Sequence, residues 1–400
     1  MVYKQILVAV DNSEWSDCAV DLSLALARAC GAALTANHVY AAKLHDLRFR
    51  QLEPGLPERY QTEEMLARQR GIHDSLIGRG LVLISASYLD AVEGRCREAG
   101  VAFTRQTGEG RNYEEILRAA GAGPYDLLAL GAHGLGKSKR ALIGSVCERV
   151  ARGAKVDVLV VRRREPLAGG RIAVALDGSD CAFAAVRRAI GLAKVFAAHL
   201  TAVAVYDPFF HRVAFNSVAG VLSAEAAKLF RFREQEVLHD EIIDKGLMRL
   251  YQTHLDRAAT MAAEAGVAMQ TLVLRGKPYD ALLDYAEAEQ PALLVMGRTG
   301  FHAAAGGELG SNAANALRLA GGNVLIVSER AEDRATVPEA QATSREGSLT
   351  WTPEASARLE RIPAFVRPMA RRVVERYARE NGQTTITPTV VDEARHRFGL

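Results

Sequence analysis

The chain contains one long sequence pattern twice, at a constant distance of 166 positions. The apolar segment that ends in Asp11 recurs as the segment that ends in Asp177, and Gly131 recurs in the same way as Gly297. Because the distance stays the same from the first landmark to the last, no net insertion separates the two copies. A constant period of this kind indicates a duplicated domain, so both copies are expected to adopt the same fold.

Each copy alternates short apolar strands with helices. In the first copy the pattern predicts strands at 5–11, 32–40, 101–107, 125–131 and 157–161, and helices at 14–30, 58–99, 112–121 and from 145 onward. Ser13 is predicted to cap the first of these helices. Nearly all-apolar strands that alternate with helices are typical of a parallel sheet covered on both faces. The fold class is therefore α/β, with two tandem doubly wound parallel-sheet (Rossmann-like) domains and a small all-α C-terminal domain.

Composition divides the chain further and limits its partners. We expect the first α/β domain at 1–165, the second at 166–330, a polar linker at 331–350 and a small helical domain at 351–400. Basic and acidic residues are nearly balanced, with a net charge of +3, which does not indicate nucleic acid or an anionic membrane as the main partner. The five cysteines are odd in number and have no CxxC spacing, so the pattern suggests neither a disulfide framework nor a zinc site. The chain enters a strand pattern at once, and no apolar run approaches the roughly 18 residues of a membrane span. We therefore expect a cytoplasmic protein without a membrane partner.

A glycine pattern, G-x2-G-x9-G-S, follows the fourth strand of each copy. It consists of Gly131, Gly134, Gly144 and Ser145 in the first copy, and of Gly297, Gly300, Gly310 and Ser311 in the second. Glycines let backbone N–H groups approach a phosphate closely, and a helix that begins at the serine favours an anion at its N-terminus. Ligands of such sheets bind at the C-terminal strand ends, which places the aspartate after the first strand at the same mouth.

The first glycine loop also matches the Walker A expression G-x4-G-K-[ST] over residues 131–138. The second copy has no lysine or hydroxyl at those positions, whereas it keeps the longer glycine spacing. The comparison of the copies therefore disfavours a P-loop.

The pattern resembles that of universal stress proteins over residues 3–329, including His38-Val39-Tyr40 after the second strand and Val146 after the last glycine. The resemblance implies ATP or another adenine nucleotide as ligand, with the aspartates and second-strand valines lining the adenosine. No metal is expected beyond Mg²⁺ that accompanies ATP. The candidate nucleotide-binding residues are Asp11, Val39, Gly131, His133, Gly134, Lys137, Gly144, Ser145, Val146, Asp177, Val205, Gly297, Gly300, Gly310 and Ser311.

The two sites are expected to be unequal. Lys137, Lys139 and Arg140 of the first loop are replaced in the second by alanine at 303 and 305 and glycine at 306. We therefore predict tighter phosphate binding at the first site. His133 lies between two motif glycines, where it either structures the loop or assists slow hydrolysis. A His-Asp pair recurs at 73–74 and 239–240, and Glu236 with His239 forms half of a metal-binding pattern that is more typical of a solvated helix face.

The C-terminal segment has a different composition. Trp351-Thr-Pro-Glu predicts a helix start, an arginine-rich helix follows at 365–378, and Thr387-Pro388 precedes a last helix. The segment resembles the small C-terminal domain of the B component of light-independent protochlorophyllide reductase. The cluster-binding body of that reductase is absent here, and no cysteine follows Cys181, so reductase activity does not carry over. An interaction module for an unidentified protein partner is expected.

The leading functional hypothesis is an adenine-nucleotide-binding regulator of a stress or energy-state response that is not an enzyme. No nucleophile elbow, HExxH motif or paired-carboxylate motif is present in the sequence. Two alternatives remain: a slow ATPase or nucleotide-dependent enzyme, and an accessory protein of a tetrapyrrole or redox complex with the tandem unit as scaffold. The two copies are expected to form an intramolecular pseudo-dimer, and further dimerisation is left open.

Overall fold

A computed structural model describes residues 2–138, 140–207, 244–301, 308–330, 333, 350–360, 371, 374–375, 377–378, 381 and 383–398. The chain forms two compact units, Met1–Arg334 and Ala335–Leu400. The first unit contains both copies of the repeat. The second contains the C-terminal segment.

The first copy follows the predicted order of strands and helices. Its elements are β1 (Gln5–Ala9), α1 (Glu14–Cys30), β2 (Ala33–Tyr40), α2 (Ala42–Leu52), α3 (Glu63–Ala99), β3 (Phe103–Glu109), α4 (Asn112–Ala122), β4 (Leu127–Gly131), α5 (Ser145–Gly153) and β5 (Asp157–Val161). The Ser13 side chain accepts a hydrogen bond from the backbone N–H of Ser16 at 3.2 Å, as expected of an N-cap.

The described part of the second copy repeats this order. Its elements are β6 (Arg171–Ala175), α6 (Asp180–Phe196), β7 (His199–Tyr206), α7 (Asp244–Glu264), β8 (Met269–Arg275), α8 (Pro278–Glu289), β9 (Leu293–Gly297), α9 (Ser311–Leu319) and β10 (Val324–Val327). The Glu236 and His239 candidates lie outside the described residues.

The two copies share one sheet of ten described strands, in the order β3-β2-β1-β4-β5-β10-β9-β6-β7-β8. Strands are parallel within each copy, whereas β5 and β10 pair antiparallel, with Leu159 opposite Leu325. The sheet is therefore mixed rather than purely parallel. Every residue of both joining strands is buried, so each copy covers the other's exposed edge. This pairing forms the expected intramolecular pseudo-dimer.

Helices cover both faces of the sheet. One apolar core lies between the sheet and α1, α3, α6 and α7, and the other lies between the sheet and α4, α5, α8 and α9. The join between the copies also contains a buried polar cluster. The carboxylate of Asp157 accepts hydrogen bonds from the Tyr3 hydroxyl at 3.1 Å, Arg188 at 3.2 Å and Arg330 at 3.0 Å. Because this carboxylate is completely buried, its charge requires such partners.

The helical region after β2 begins earlier than the predicted helical region at about 58–99. The chain forms α2 first and then turns through two short 3-10 segments, the first of which contains Pro54 and the second of which follows Pro57. The 37-residue α3 comes next. Among the described residues, α3 has the length and composition of a membrane-crossing helix, with a mean hydropathy of 1.3 over 18 residues. The expectation that no apolar stretch approaches this length is corrected in that respect. A single helix of this kind does not by itself indicate a membrane span.

The C-terminal unit is helical in its described part, with α10 (Pro353–Glu360) and α11 (Pro388–Phe398) where helix starts were predicted. It also contains a short parallel strand pair, β11 (Thr350–Trp351) with β12 (Thr385–Ile386), so all-α is not a complete description. A small core holds the unit together, formed by Ala355, Val374, Ala378, Ile386, Val390, Val391 and Ala394. Most of the predicted arginine-rich helix lies outside the described residues.

Candidate functional site

The aspartate after the first strand of each copy binds the start of the glycine loop. In the first copy, Asp11 Oδ1 accepts from the Ser13 N–H at 3.0 Å, and Oδ2 accepts from the Leu135 N–H at 3.3 Å. In the second copy, Asp177 Oδ2 accepts from the Phe301 N–H at 3.1 Å. The structure thus places the predicted aspartates and glycine loops together, at the C-terminal ends of the strands. One role of each carboxylate is to position its loop.

The first glycine of each loop is required by packing within the protein. A Cβ atom on Gly131 would lie 2.6 Å from the carbonyl carbon of Trp15 and 2.8 Å from the nitrogen of Ser16, at the start of α1. The counterpart Gly297 would bring a Cβ within 2.9 Å of the Cys181 carbonyl carbon. These glycines let the first helix of each copy pack against the end of a neighbouring strand. The prediction that all motif glycines serve phosphate approach was therefore incomplete.

The second glycine of each loop lies against the aspartate. A Cβ atom on Gly134 would lie 2.4 Å from Asp11 Oδ2, and one on Gly300 would lie 2.7 Å from Asp177 Oδ2. A side chain at either position would therefore displace the carboxylate that holds the loop.

The third glycine and the serine begin a helix directed at the same mouth. The Gly144 N–H donates to the Ala132 carbonyl at 2.7 Å, which brings the N-terminus of α5 back to the loop. Gly144 is the N-cap, and α5 runs from Ser145, with Val146 packed against the core. The first N–H groups of a helix have no partner within it and, with the helix dipole, favour an anion. Gly310 repeats the arrangement by donating to the Arg298 carbonyl at 2.8 Å, and α9 begins at Ser311.

Lys137 of the first loop is held against an aromatic ring. Lys137 Nζ lies 4.5 Å from the centroid of the Trp15 ring, and the lysine side chain is exposed. Lys139 lies outside the described residues, as do positions 303, 305 and 306 of the second loop. The ammonium group of Lys137 therefore lies beside Trp15, at the start of α1 and next to the first mouth.

His133 is part of the loop's internal packing. Its ring contacts Trp15 edge-on at 5.2 Å between centroids, and its backbone carbonyl accepts from the Ser13 hydroxyl at 3.4 Å. Burial lowers the pKa of His133, and Lys137 and Arg162 lower it further. The ring is thus neutral near pH 7. The contacts with Trp15 and Ser13 support the loop-structuring role of His133.

Strand β2 at the first site contains a polar residue that sequence reasoning missed. Val39 and its counterpart Val205 are both 8% exposed and lie in the core below α4 and α8. Two positions before Val39, on the same face of β2, is Asn37, which is 2% exposed. Its Oδ1 has no hydrogen-bond partner among the described residues. The available signal was the mismatch between the copies, because the second has Val203 at this position.

The second site encloses a cavity of about 550 Å³, a volume within the range of small-molecule pockets. Asp177, Val205, Gly300 and Ser311 line it, together with Tyr251 and His254 of α7. The expectation of a relaxed second site rested on charge alone. The described walls form a defined pocket, in which apolar side chains predominate.

The guanidinium of Arg298, in the second loop, is directed at the first copy. Its guanidinium donates to the carbonyls of Ala151 at 2.9 Å and Arg152 at 3.2 Å, and to the Ser328 hydroxyl at 3.0 Å. The side chain is 6% exposed. The cation is therefore used to join the two copies. In the described residues, no group of three His, Cys, Asp or Glu side chains is close enough to hold a metal ion.

Comparison with known proteins gives two kinds of relative. Universal stress protein MJ0531 of Methanocaldococcus jannaschii is 31% identical over 159 residues, which are 39% of this chain and 81% of that protein. The B component of light-independent protochlorophyllide reductase from Halorhodospira halophila is 46% identical over 70 residues, 17% of this chain. The chain spans only 13% of the length of that reductase component. The Proto-chlorophyllide reductase 57 kD subunit profile matches residues 351–395.

A solved structure and a family profile both match the two copies of the repeat. A protein of Pseudomonas aeruginosa UCBPP-PA14, described as a universal stress protein, superposes with a TM-score of 0.50 at 14% identity, over 82% of this chain and 93% of that chain. The Universal stress protein family profile matches residues 2–162 and again residues 170–328. Because these two matches cover most of its length, the chain belongs to the universal stress protein family.

Proposed function

We propose that the tandem unit binds adenine nucleotides, ATP at the first site, and acts as a regulatory binding protein. The observation that carries the proposal is the mouth formed by Asp11, Val39 and the N-terminus of α5. This mouth combines a carboxylate suited to ribose hydroxyls, an apolar wall suited to a base, and free N–H groups suited to phosphate.

The proposal assigns the nucleotides unequally. The first loop carries Lys137 and Arg140, both exposed, which suit the charge of a triphosphate. In the second copy Arg298 is occupied at the join between the copies. The apolar cavity of the second site therefore suits a ligand with less charge, such as a nucleoside or a monophosphate.

The C-terminal unit is proposed to be an interaction module that connects nucleotide binding to a protein partner. Its similarity is confined to a small part of the reductase component, and it has its own apolar core. A short helical unit without the reductase's main body is suited to docking rather than to catalysis.

The experiment is denaturing extraction of the purified full chain, followed by chromatography of the released nucleotide. Recovery of an adenine nucleotide in stoichiometric amount supports binding, and a chain that releases none and shows no ATP binding on titration contradicts it. An ATP turnover assay then separates a binder from an enzyme. Because the His133 ring is buried and packs edge-on against Trp15, we expect no sustained hydrolysis that the His133→Ala variant lacks. Hydrolysis that depends on His133 would overturn the regulatory assignment.

A further inference from the structure

The first site contains a buried carboxamide with unused hydrogen-bonding capacity. Asn37 is 2% exposed, its Oδ1 has no partner among the described residues, and its backbone carbonyl is already used by the Val10 N–H at 2.9 Å. Buried side-chain oxygens normally have a hydrogen-bond partner, because an unpaired polar group loses its hydration without compensation. An unpaired group beside a binding site is therefore a candidate ligand contact.

The register of the sheet locates this carboxamide. Asn37 pairs with Ala9 on β1 and with Gln106 on β3, so the three side chains form a row on one face of the sheet. Val39 lies two residues further along β2 and therefore faces the same way. Gln106 Oε1 accepts from the Tyr125 hydroxyl at 3.3 Å. In this row, therefore, the Gln106 side-chain oxygen accepts a hydrogen bond, whereas Asn37 Oδ1 has no partner among the described residues.

The second copy shows what this row lines. The counterpart of Asn37 is Val203, and both Val203 and Val205 line the cavity of about 550 Å³, together with Ala175. The two copies share the same strand register, Ala175 with Val203 in one and Ala9 with Asn37 in the other. By this equivalence Asn37 lies in the wall of the first mouth, at the base end beside Val39.

We propose that Asn37 recognises the base at the first site and that the second site, with Val203, lacks this recognition. This inference rests on the proposed nucleotide binding. A carboxamide offers an acceptor and a donor side by side. Adenine offers the complementary pair, its 6-amino group and an adjacent ring nitrogen, and bidentate pairing of this kind is how Asn reads adenine in nucleic acids. A valine at the same position contacts any base through apolar surface only.

The test removes either the 6-amino group of the ligand or the carboxamide of Asn37. Full-length chain with Gly310→Asp, which places a carboxylate at the second helix start, is titrated with ATP and with purine riboside triphosphate, which lacks the 6-amino group. With Asn37 present, we expect ATP to bind about fivefold to tenfold more tightly than the analogue, the size of one buried hydrogen bond. With Asn37→Val, we expect equal affinities, because neither ligand then finds a polar partner.

The reciprocal exchange serves as the matched control. In a chain with Gly144→Asp, Val203→Asn should create a preference for the nucleotide that carries the 6-amino group, measured with AMP and purine riboside monophosphate. It also keeps the test decisive if Asn37→Val fails to fold. An ATP preference that survives Asn37→Val unchanged overturns the inference and leaves nucleotide binding intact. Failure of the chain with Asn37 to bind ATP at all contradicts the proposed function itself.

Discussion

Arg298 donates a hydrogen bond to the carbonyl of Ala151 at 2.9 Å and so joins the glycine loop of one copy to a helix of the other. The acceptor lies in the last turns of α5, whose first residue is Ser145 in the first mouth. Arg162 forms the reciprocal bond, from Nε to the Ala320 carbonyl at 2.5 Å, at the end of α9. In each copy, an arginine therefore caps the C-terminus of the helix that begins at the other copy's glycine loop. A positive charge is favourable at that end of a helix.

Replacing Arg298 by alanine, the residue at the matching position 132, should destabilise the tandem unit. Removal of the guanidinium leaves the carbonyls of Ala151 and Arg152 and the Ser328 hydroxyl with fewer donors. We therefore expect the free energy of unfolding to fall by about 1–3 kcal/mol. Urea unfolding of full-length protein measures the change. Arg118→Ala, on an exposed face of α4, is the control and should stay within about 0.5 kcal/mol. Equal effects of the two substitutions would contradict a role of Arg298 in joining the copies.

Lys137 should leave the Trp15 ring when a triphosphate occupies the first mouth. We expect ATP to change the fluorescence of Trp15, observed in a Trp351→Phe chain because the sequence has two tryptophans. Lys137→Ala should lower ATP affinity about threefold to tenfold, since one charge-assisted contact is lost. Lys155→Ala removes the same charge from an exposed position outside the mouth and should leave the affinity unchanged. An equal loss in both variants would indicate a general charge effect instead.

Stability should decrease on mild acidification. Burial lowers the pKa of His38 below its usual 6.5, although Asp11 acts in the opposite direction, and His38 Nδ1 is 2.8 Å from Ser85 Oγ. Because the unfolded state then binds more protons, this contribution is complete above pH 6.5 and is lost as the pH falls through the folded-state pKa. Urea unfolding between pH 7.5 and 5.5 should show a shallower pH dependence for His38→Ala, the residue at the matching position 204. The exposed His199→Ala is the control, and an unchanged slope in His38→Ala would refute the assignment.

Local structure was predictable because its causes are local. The strand before Asp11, the cap at Ser13 and the helix start at Ser145 follow from apolar patterning and capping, and the structure has them at those positions. The repeat also made the intramolecular pseudo-dimer predictable, since two copies of one domain in one chain can pair with each other. The antiparallel join of Leu159 with Leu325 could not be predicted in register, because pairing between distant buried strands leaves no periodic signal.

The site was predictable in its position and not in its division of roles. Motif spacing placed Asp11 and the glycine loop together, as the structure does. It could not show that Gly131 is required by the approach of α1, because that contact joins residues distant in sequence. Asn37 was missed for a related reason. Its difference from Val203 in the second copy points to a ligand contact only when the strand is known to line the mouth.

The central claim is that the first mouth binds ATP at the N-terminus of α5, and one titration tests it most directly. Full-length Gly144→Asp is compared with Gly121→Asp, which adds the same carboxylate on an exposed part of α4 with no atom within 4 Å of the new Cβ. A carboxylate beside Ser145 repels phosphate, whereas the control leaves the mouth unchanged. Calorimetric titration should show that Gly144→Asp loses the tight ATP site while Gly121→Asp binds as the unmodified chain does. Tight ATP binding retained in a folded Gly144→Asp protein would contradict the account.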